Sequence, residues 1–140
     1  MKGLPTANSD RSLFLRTDFS DDVAWEALCV AIQEPSIEGF VASFDYVNDP
    51  IYAGLGVEEL LNLRPDEAGH YFLYVADAKC FANSECPILV VDLYTDPGRT
   101  IRVIQSEVCG VENNLSISNM DFEDFEDEAG PDGVFRGFTD

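Results

Sequence analysis

The run Ile88–Leu93, ILVVDL, is the segment that most constrains how this chain can fold. A short continuous run of β-branched and other apolar residues is typical of a strand that is buried on both faces of a sheet. Asp96-Pro97-Gly98 follows it as a tight-turn sequence, and Thr100–Gln105 then returns as a second apolar run. The sequence therefore predicts an antiparallel hairpin whose first strand lies inside a sheet.

Strand and helix patterns alternate in the part of the chain that precedes this hairpin. We expect strands at Leu13–Thr17, Phe40–Val47 and Tyr71–Ala76. Between them, apolar residues at helical spacing predict one helix that begins after Ser20 and a shorter one at Val57–Leu63. Strands joined by helices pair in parallel through right-handed crossovers, so the first three strands should be parallel.

The predicted fold is α/β, with one domain over residues 13–140 that follows a flexible leader, residues 1–12. A central mixed β-sheet starts with a parallel β-α-β-α-β segment, continues with the antiparallel hairpin and is covered by helices. Two short helices should follow near the C-terminus, capped by Ser106 and Asn119. Val134, Phe135 and Phe138 should then dock on the core as a tail.

The charge of the chain is its most unusual property. It has 27 Asp and Glu residues against 8 Lys and Arg residues, which gives a formal net charge of −19. Such a surface repels nucleic-acid phosphates and anionic lipids, so we expect neither nucleic acid nor a membrane as a partner. It attracts cationic partners instead, which could be a basic protein, a metal ion or a cationic small molecule, although the same charge also keeps a protein soluble.

The sequence shows no targeting or membrane segment. The polar N-terminal stretch lacks the apolar centre of a signal peptide, and apolar runs such as Ile88–Val91 are too short to span a bilayer. We therefore expect a cytoplasmic protein with reduced cysteines, although Cys80 and Cys86 flank a short loop and could close it if oxidised. Their spacing matches no zinc pattern, and we expect no cofactor. The oligomeric state stays open.

A dense acidic and aromatic run near the C-terminus provides the candidate partner-binding surface. Phe122 and Phe125 should face the core, whereas six acidic residues should face water: Asp121, Glu123, Asp124, Glu126, Asp127 and Glu128. Like charges so close together cost stability, which favours a purpose for them. We expect a non-enzymatic interaction module that docks a basic partner, in the manner of an immunity protein or an inhibitor. The alternative is a merely solvated helix face.

Polar residues elsewhere support a second hypothesis, a small enzyme or a domain that binds a metal ion or a metabolite. Asp18 and Asp77 follow the first and third strands, and open α/β sheets bind ligands at the carboxyl ends of their strands. Carboxylate oxygens there would suit magnesium. Glu112, Asn113 and Asn114 could add ligand-binding groups. The structural alternative is that these acids cap turns and these asparagines tie down loops.

Two single residues allow both a structural and a chemical interpretation. Asp92 interrupts the most apolar strand, and if it is buried we expect an ion pair with Arg99 or Arg102 rather than a catalytic acid. His70 is the only histidine, but no neighbour in the sequence orients it, so we expect a loop histidine rather than a base. The sequence leaves open whether the protein is an enzyme.

Three segments and the C-terminal DGVFRGF resemble a known family: SLFLRTDFSDDVAWEAL, LVVDLYTDPGRTIRVI and VENNLSISNMDFEDF. This is a family of short acidic bacterial and fungal proteins described only as a domain of unknown function. The similarity runs from Ser12 to Phe138. The resemblance implies one complete domain in an intracellular setting, and it transfers no catalytic residue.

Overall fold

A six-stranded mixed β-sheet lies at the centre of the protein. The computed structural model describes residues 3–5, 11–35, 39, 41–64, 71–116 and 120–138. The strands are β1 (Ser12–Arg16), β2 (Phe44–Val47), β3 (Phe72–Ala76), β4 (Pro87–Asp92), β5 (Thr100–Ile104) and β6 (Val134–Phe135). Their order across the sheet is β2-β1-β3-β4-β5-β6. β1 pairs in parallel with β2 and β3, β3-β4-β5 is antiparallel, and β6 is parallel to β5.

Helices cover both faces of this sheet. The described residues contain α1 (Asp22–Gln33), α2 (Val57–Asn62), α3 (Ala78–Phe81), α4 (Val108–Ser116) and α5 (Phe122–Glu128). Buried residues of α1, α3, α4 and α5 belong to the core on one face, and those of α2 belong to the core on the other face. The predicted single α/β domain with a mixed sheet and two C-terminal helices is confirmed.

The two cores follow from the alternation of side chains along the strands. On β1, Phe14 points into the first core, whereas Leu13 and Leu15 point into the second. On β3, Tyr74 points into the first core and Leu73 into the second. Strands that are buried on both faces need apolar residues at successive positions, which explains why β4 reads as a continuous apolar run.

Several element boundaries differ from the prediction. β2 begins at Phe44 rather than at residue 40, which lies outside the described residues. Helix α1 is capped by Asp21 instead of Ser20, since the Asp21 carboxylate accepts the Ala24 N–H at 3.0 Å. The connection between β3 and β4, for which we predict no regular element, contains the short helix α3. A 3₁₀ turn at Gln105–Glu107 leads directly into α4, so Ser106 is not a helix cap.

Both ends of the described chain pack against the domain. Leu4 is buried in the second core, and its N–H donates to the Leu63 carbonyl at 2.9 Å. At the other end, Val134 and Phe135 form β6, and Phe135 packs edge-to-face on Phe125. The predicted docking tail is therefore an edge strand of the sheet. Among the helices of the described residues, none is long and apolar enough to cross a membrane.

Candidate functional site

A cleft of about 440 Å³ opens where β3 begins, β4 ends and α5 starts. Three parts of the chain form its walls: the entry to β3, the loop that joins β4 to β5, and the segment from the end of α4 to the first turn of α5. Its lining residues are Tyr71, Phe72, Asp92, Tyr94, Thr95, Arg99, Leu115, Met120, Asp121, Phe122 and Glu123. The cleft therefore combines aromatic, acidic and basic side chains at one end of the sheet.

Asp92 determines the shape of the β4–β5 loop. Its side chain is buried, and Oδ1 accepts the N–H groups of Tyr94 at 2.9 Å and Thr95 at 3.1 Å. Oδ2 accepts the Asp96 N–H at 3.1 Å. Charge-assisted hydrogen bonds of this kind are stronger than neutral ones, so a buried carboxylate that accepts several of them holds the loop firmly. Asp92 thereby fixes the backbone of the loop that carries the Tyr94 side chain.

The predicted ion pair of Asp92 with an arginine is wrong. Backbone amides of the loop satisfy the carboxylate, and both candidate arginines bind other acids. Arg99 pairs with Glu126 on α5, and Arg102 pairs with Asp77. The sequence could not distinguish these partners, because they depend on which strands and helices lie next to one another.

Tyr71 and Tyr94 form an exposed aromatic pair on the rim of the cleft. Their ring centroids are 4.7 Å apart and the rings meet edge-to-face at 66°. Tyr71 is 59% exposed and Tyr94 is 70% exposed, so neither ring contributes to a core. Tyrosine is enriched at protein interfaces, where its ring is buried by the partner, so this exposed pair is a candidate contact surface.

Arg99 connects the hairpin to α5. Its Nε and Nη2 both donate to the Glu126 carboxylate, and its guanidinium lies 5.4 Å from the centre of the Phe122 ring. The hydrogen bond with Arg99 lowers the pKa of Glu126. The positive charge inside the cleft is therefore matched by a carboxylate of α5, and Asp121 and Glu123 lie on the cleft as exposed acids.

The outer face of α5 carries most of the predicted partner-binding acids. Phe122 and Phe125 are buried as predicted, and Glu126 is partly buried against Arg99. The other predicted acids are exposed: Asp121, Glu123, Asp124, Asp127 and Glu128. The predicted cap Asn119 lies outside the described residues, and α5 instead begins after Asp121, whose N–H donates to Asp124 at 2.9 Å.

A comparison with protein families identifies the chain. One family model matches residues 11–138, which include every residue of the cleft. The chain belongs to DUF6924, a domain of unknown function. This match confirms the resemblance seen in the sequence. Among curated proteins, none matches the chain. The cleft is therefore a feature of a DUF6924 domain.

Glu112 does not line the cleft of the DUF6924 domain. It is buried on α4, where its two carboxylate oxygens accept the Ser12 hydroxyl at 2.7 Å and the Tyr74 hydroxyl at 2.9 Å. Burial raises the pKa of Glu112, and these two hydrogen bonds offset part of that increase. Burial and the adjacent carboxylate also raise the pKa of Tyr74 well above its ordinary value. Glu112 thus ties α4 to β1 and β3.

The two asparagines beside Glu112 bind the backbone. The side-chain amide of Asn113 donates to the Val41 carbonyl at 3.3 Å, and that of Asn114 donates to the Gly110 carbonyl at 2.8 Å. These contacts agree with the alternative in which the asparagines tie down local structure. Neither asparagine lines the cleft of the DUF6924 domain.

The strand-end acids of the DUF6924 domain also bind donors of the protein. Asp18 accepts the Ser20 N–H at 3.0 Å, and Asp77 accepts Arg102 and caps α3 through the Cys80 N–H at 3.1 Å. Within the described ranges, no group of three or more His, Cys, Asp or Glu residues is placed to hold a metal ion. His70, the remaining candidate, lies outside the described residues.

Sequence reasoning missed the aromatic side of the cleft. The sequence does contain a signal for Tyr94 as an exposed contact residue. It is a large aromatic residue directly after the buried strand and inside a polar turn sequence. Tyr71 was predicted as the first residue of a strand, but β3 begins one residue later and leaves its ring in solvent. Their proximity depends on the pairing of β3 with β4.

Proposed function

We propose that this domain is a non-enzymatic binding module that docks a lysine- or arginine-rich segment of a partner protein in the cleft and along the outer face of α5. The observation that carries the proposal is the exposed pair of Tyr71 and Tyr94 on the same cleft as Asp121 and Glu123. Ring faces and carboxylates both attract an ammonium or guanidinium group, so a basic side chain gains two favourable contacts there.

The overall charge supports a basic partner over a neutral one. A net charge of −19 produces a long-range field that speeds the approach of a cationic protein. Asp124, Asp127 and Glu128 extend the acidic surface from the cleft along α5. Arg99 does not oppose this attraction, because Glu126 neutralises it. The field brings the partner to the domain, and the cleft selects its basic side chains.

The polar groups of the cleft favour binding over catalysis. Asp92 is committed to loop amides and Arg99 to Glu126, so both act as structural supports. A volume of about 440 Å³ is in the range of protein pockets for small ligands, and it suits one or two side chains of a docked segment. A shape that receives side chains, with aromatic anchors on its rim, is typical of peptide recognition.

Fluorescence anisotropy with a labelled oligolysine peptide tests the proposal. We expect binding that weakens as the salt concentration rises, and no binding of an uncharged glycine-serine peptide of the same length. Tyr94→Ala should weaken oligolysine binding about tenfold, since a partly desolvated cation–π contact contributes ~1–2 kcal/mol.

A matched pair of variants separates specific docking from general charge attraction. Glu123→Gln removes one charge at the cleft, whereas Glu58→Gln removes one exposed charge on α2, which packs on the other face of the sheet. Glu123→Gln should weaken binding clearly more than Glu58→Gln. Equal effects of the two, together with unchanged binding by Tyr94→Ala, would show that the peptide senses only net charge and would overturn the proposal.

A further inference from the structure

A second cavity, of about 320 Å³, opens at the carboxyl ends of β1 and β2. Its lining residues are Arg16, Phe19, Asp22, Trp25, Glu26, Asn48 and Pro50. It lies at the opposite end of the sheet from the cleft, because the cleft is at the start of β3 and β3 runs parallel to β1. The carboxyl ends of parallel strands are the usual position of ligand sites in open α/β sheets.

Arg16 is an unusually buried cation on the wall of this cavity. Its side chain is 2% exposed and lies against two rings, with the guanidinium 4.4 Å from the Phe19 centroid and 5.6 Å from the Trp25 centroid. Nε donates to the Asp18 carbonyl at 2.8 Å, and Nη1 donates to the Asn48 amide oxygen at 3.2 Å. These contacts fix the plane of the guanidinium.

The remaining nitrogen, Nη2, is buried and makes no hydrogen bond to any residue that the structure describes. It lies 2.8 Å from Oδ1 of Asp22, but the two groups are not aligned for a hydrogen bond, and the Asp22 side chain is 80% exposed. Nη2 is therefore ion-paired with Asp22 but not hydrogen-bonded to it, and a buried N–H group without an aligned acceptor is costly. A ligand oxygen that replaced Asp22 beside Nη2, in line with its N–H group, would supply the aligned acceptor.

The charges at the mouth of the cavity restrict the chemistry of that ligand. Guanidinium groups match the oxygens of carboxylates and phosphates. Asp22 and Glu26 line the same cavity, and with a chain charge of −19 they repel a ligand that carries only negative charge. The same two carboxylates attract an ammonium group. A ligand that carries one carboxylate and one ammonium satisfies both requirements.

We infer that this cavity binds a small zwitterion of the free α-amino acid class. Its carboxylate accepts from Nη2 of Arg16, and its ammonium lies against the carboxylates of Asp22 and Glu26. Trp25 and Phe19 provide the apolar walls for the rest of the molecule. When the ligand binds, the exposed side chain of Asp22 exchanges its ion pair with Arg16 for one with the ammonium group.

Trp25 reports directly on this site, since it is the only tryptophan of the chain and lines the cavity. Titration of the wild-type protein with proteinogenic amino acids, one at a time and omitting tryptophan and tyrosine, should change its fluorescence saturably for at least one of them. The corresponding amino-acid amide, which lacks the carboxylate, and the N-acetyl derivative, which lacks the ammonium, should both fail. Inorganic phosphate serves as the simple oxyanion probe.

Variants at the exposed end of the site avoid the risk that a change at buried Arg16 unfolds the protein. Asp22→Asn should weaken the amino acid about tenfold, the loss of one charge-assisted contact. Glu34 is an exposed acid at the C-terminal end of α1 and does not line the cavity, so Glu34→Gln should bind the amino acid as the wild type does. Failure of every amino acid, unchanged affinity in Asp22→Asn, or a phosphate response that strengthens in Asp22→Asn would each overturn the inference.

Discussion

Arg102 on β5 and Asp77, which follows β3, form a bidentate ion pair across the intervening strand β4. Nη1 of Arg102 lies 2.9 Å from Oδ1 of Asp77, and Nη2 lies 2.7 Å from Oδ2. Nη1 also donates to the Pro87 carbonyl at 3.0 Å, so one guanidinium holds the end of β3 and the start of β4 from its position on β5. Both side chains are mostly buried, which limits screening by water.

Removal of this arginine should destabilise the fold. We expect Arg102→Met to lower the free energy of unfolding by about 2 kcal/mol, the typical cost of lost hydrogen bonds to a charged group, because Asp77 keeps its charge without its partner. The stability of Arg102→Lys should lie between those of Arg102→Met and the wild type, since lysine keeps the positive charge but cannot form the bidentate contact. Urea denaturation measures both, and a Met variant as stable as the wild type would contradict the prediction.

Replacement of Asp92 should affect stability and partner binding together. Asp92→Asn turns one acceptor oxygen into a donor that faces backbone N–H groups, and should cost ~2–3 kcal/mol of stability. It should also weaken oligolysine binding, because the loop that carries Tyr94 loses its anchor. Asp96→Asn is the control for stability, since this substitution keeps the backbone N–H that Asp96 donates to Asp92. Equal stability of the two variants would count against this role of Asp92.

Glu112 should make stability depend on pH. Its pKa is raised in the folded protein, chiefly by burial, so the folded state holds the proton more tightly than the unfolded chain does. The stability that it contributes is present below the ordinary glutamate pKa and is lost as the pH rises through the raised value.

The variant Glu112→Gln cannot lose this proton. Its stability relative to the wild type should therefore increase as the pH rises from mildly acidic to neutral. Urea denaturation across that pH range measures the difference, with exposed Glu58→Gln as the control. A difference between Glu112→Gln and the wild type that does not change with pH would refute the expected shift.

Cys86 should be the most reactive thiol of the chain. The sulfurs of Cys80 and Cys86 lie 2.8 Å apart as free thiols, and the hydrogen bond between them lowers the pKa of Cys86 and raises that of Cys80. Burial raises the pKa of Cys29 to about 11 and also raises that of Cys109. Iodoacetamide should therefore modify Cys86 first, since the thiolate is the reactive form.

The same proximity predicts a disulfide under oxidising conditions. Diamide should take two hydrogens from Cys80 and Cys86 and leave a bond between their sulfurs, which peptide mass spectrometry detects. Cys86→Ser should abolish this bond and leave Cys29 and Cys109 reduced. Labelling of Cys29 ahead of Cys86, or a diamide product that involves other cysteines, would disagree with this geometry.

The features that the sequence predicted well are those that leave a local pattern. The apolar run of β4 and the spacing of Phe122 and Phe125 on α5 each record burial within one segment, so a single stretch of residues is sufficient to recognise them. Strand pairing was predictable in outline, because helical connections imply parallel neighbours and a tight turn implies a hairpin.

Partner choice between distant residues leaves no such pattern. Arg102 reaches Asp77 because β5 and β3 both lie next to β4 in the sheet. Arg16 contacts Asn48 because β2 lies next to β1. The same reason explains the missed pair of Tyr71 and Tyr94, which are 23 positions apart in the chain (94 minus 71). Polar and exposed contacts of this kind depend on the assembled sheet, and both candidate sites of this domain consist largely of them.

The short edge strands have a consequence for how such a chain behaves at high concentration. The sheet ends in β2 on one side and in β6, only two residues long, on the other. Unpaired strand edges are templates on which further chains assemble into fibrils, and short edges offer few backbone groups for that reaction. Repulsion between molecules of charge −19 adds to this barrier. Shape and charge together should keep this domain resistant to amyloid-like aggregation.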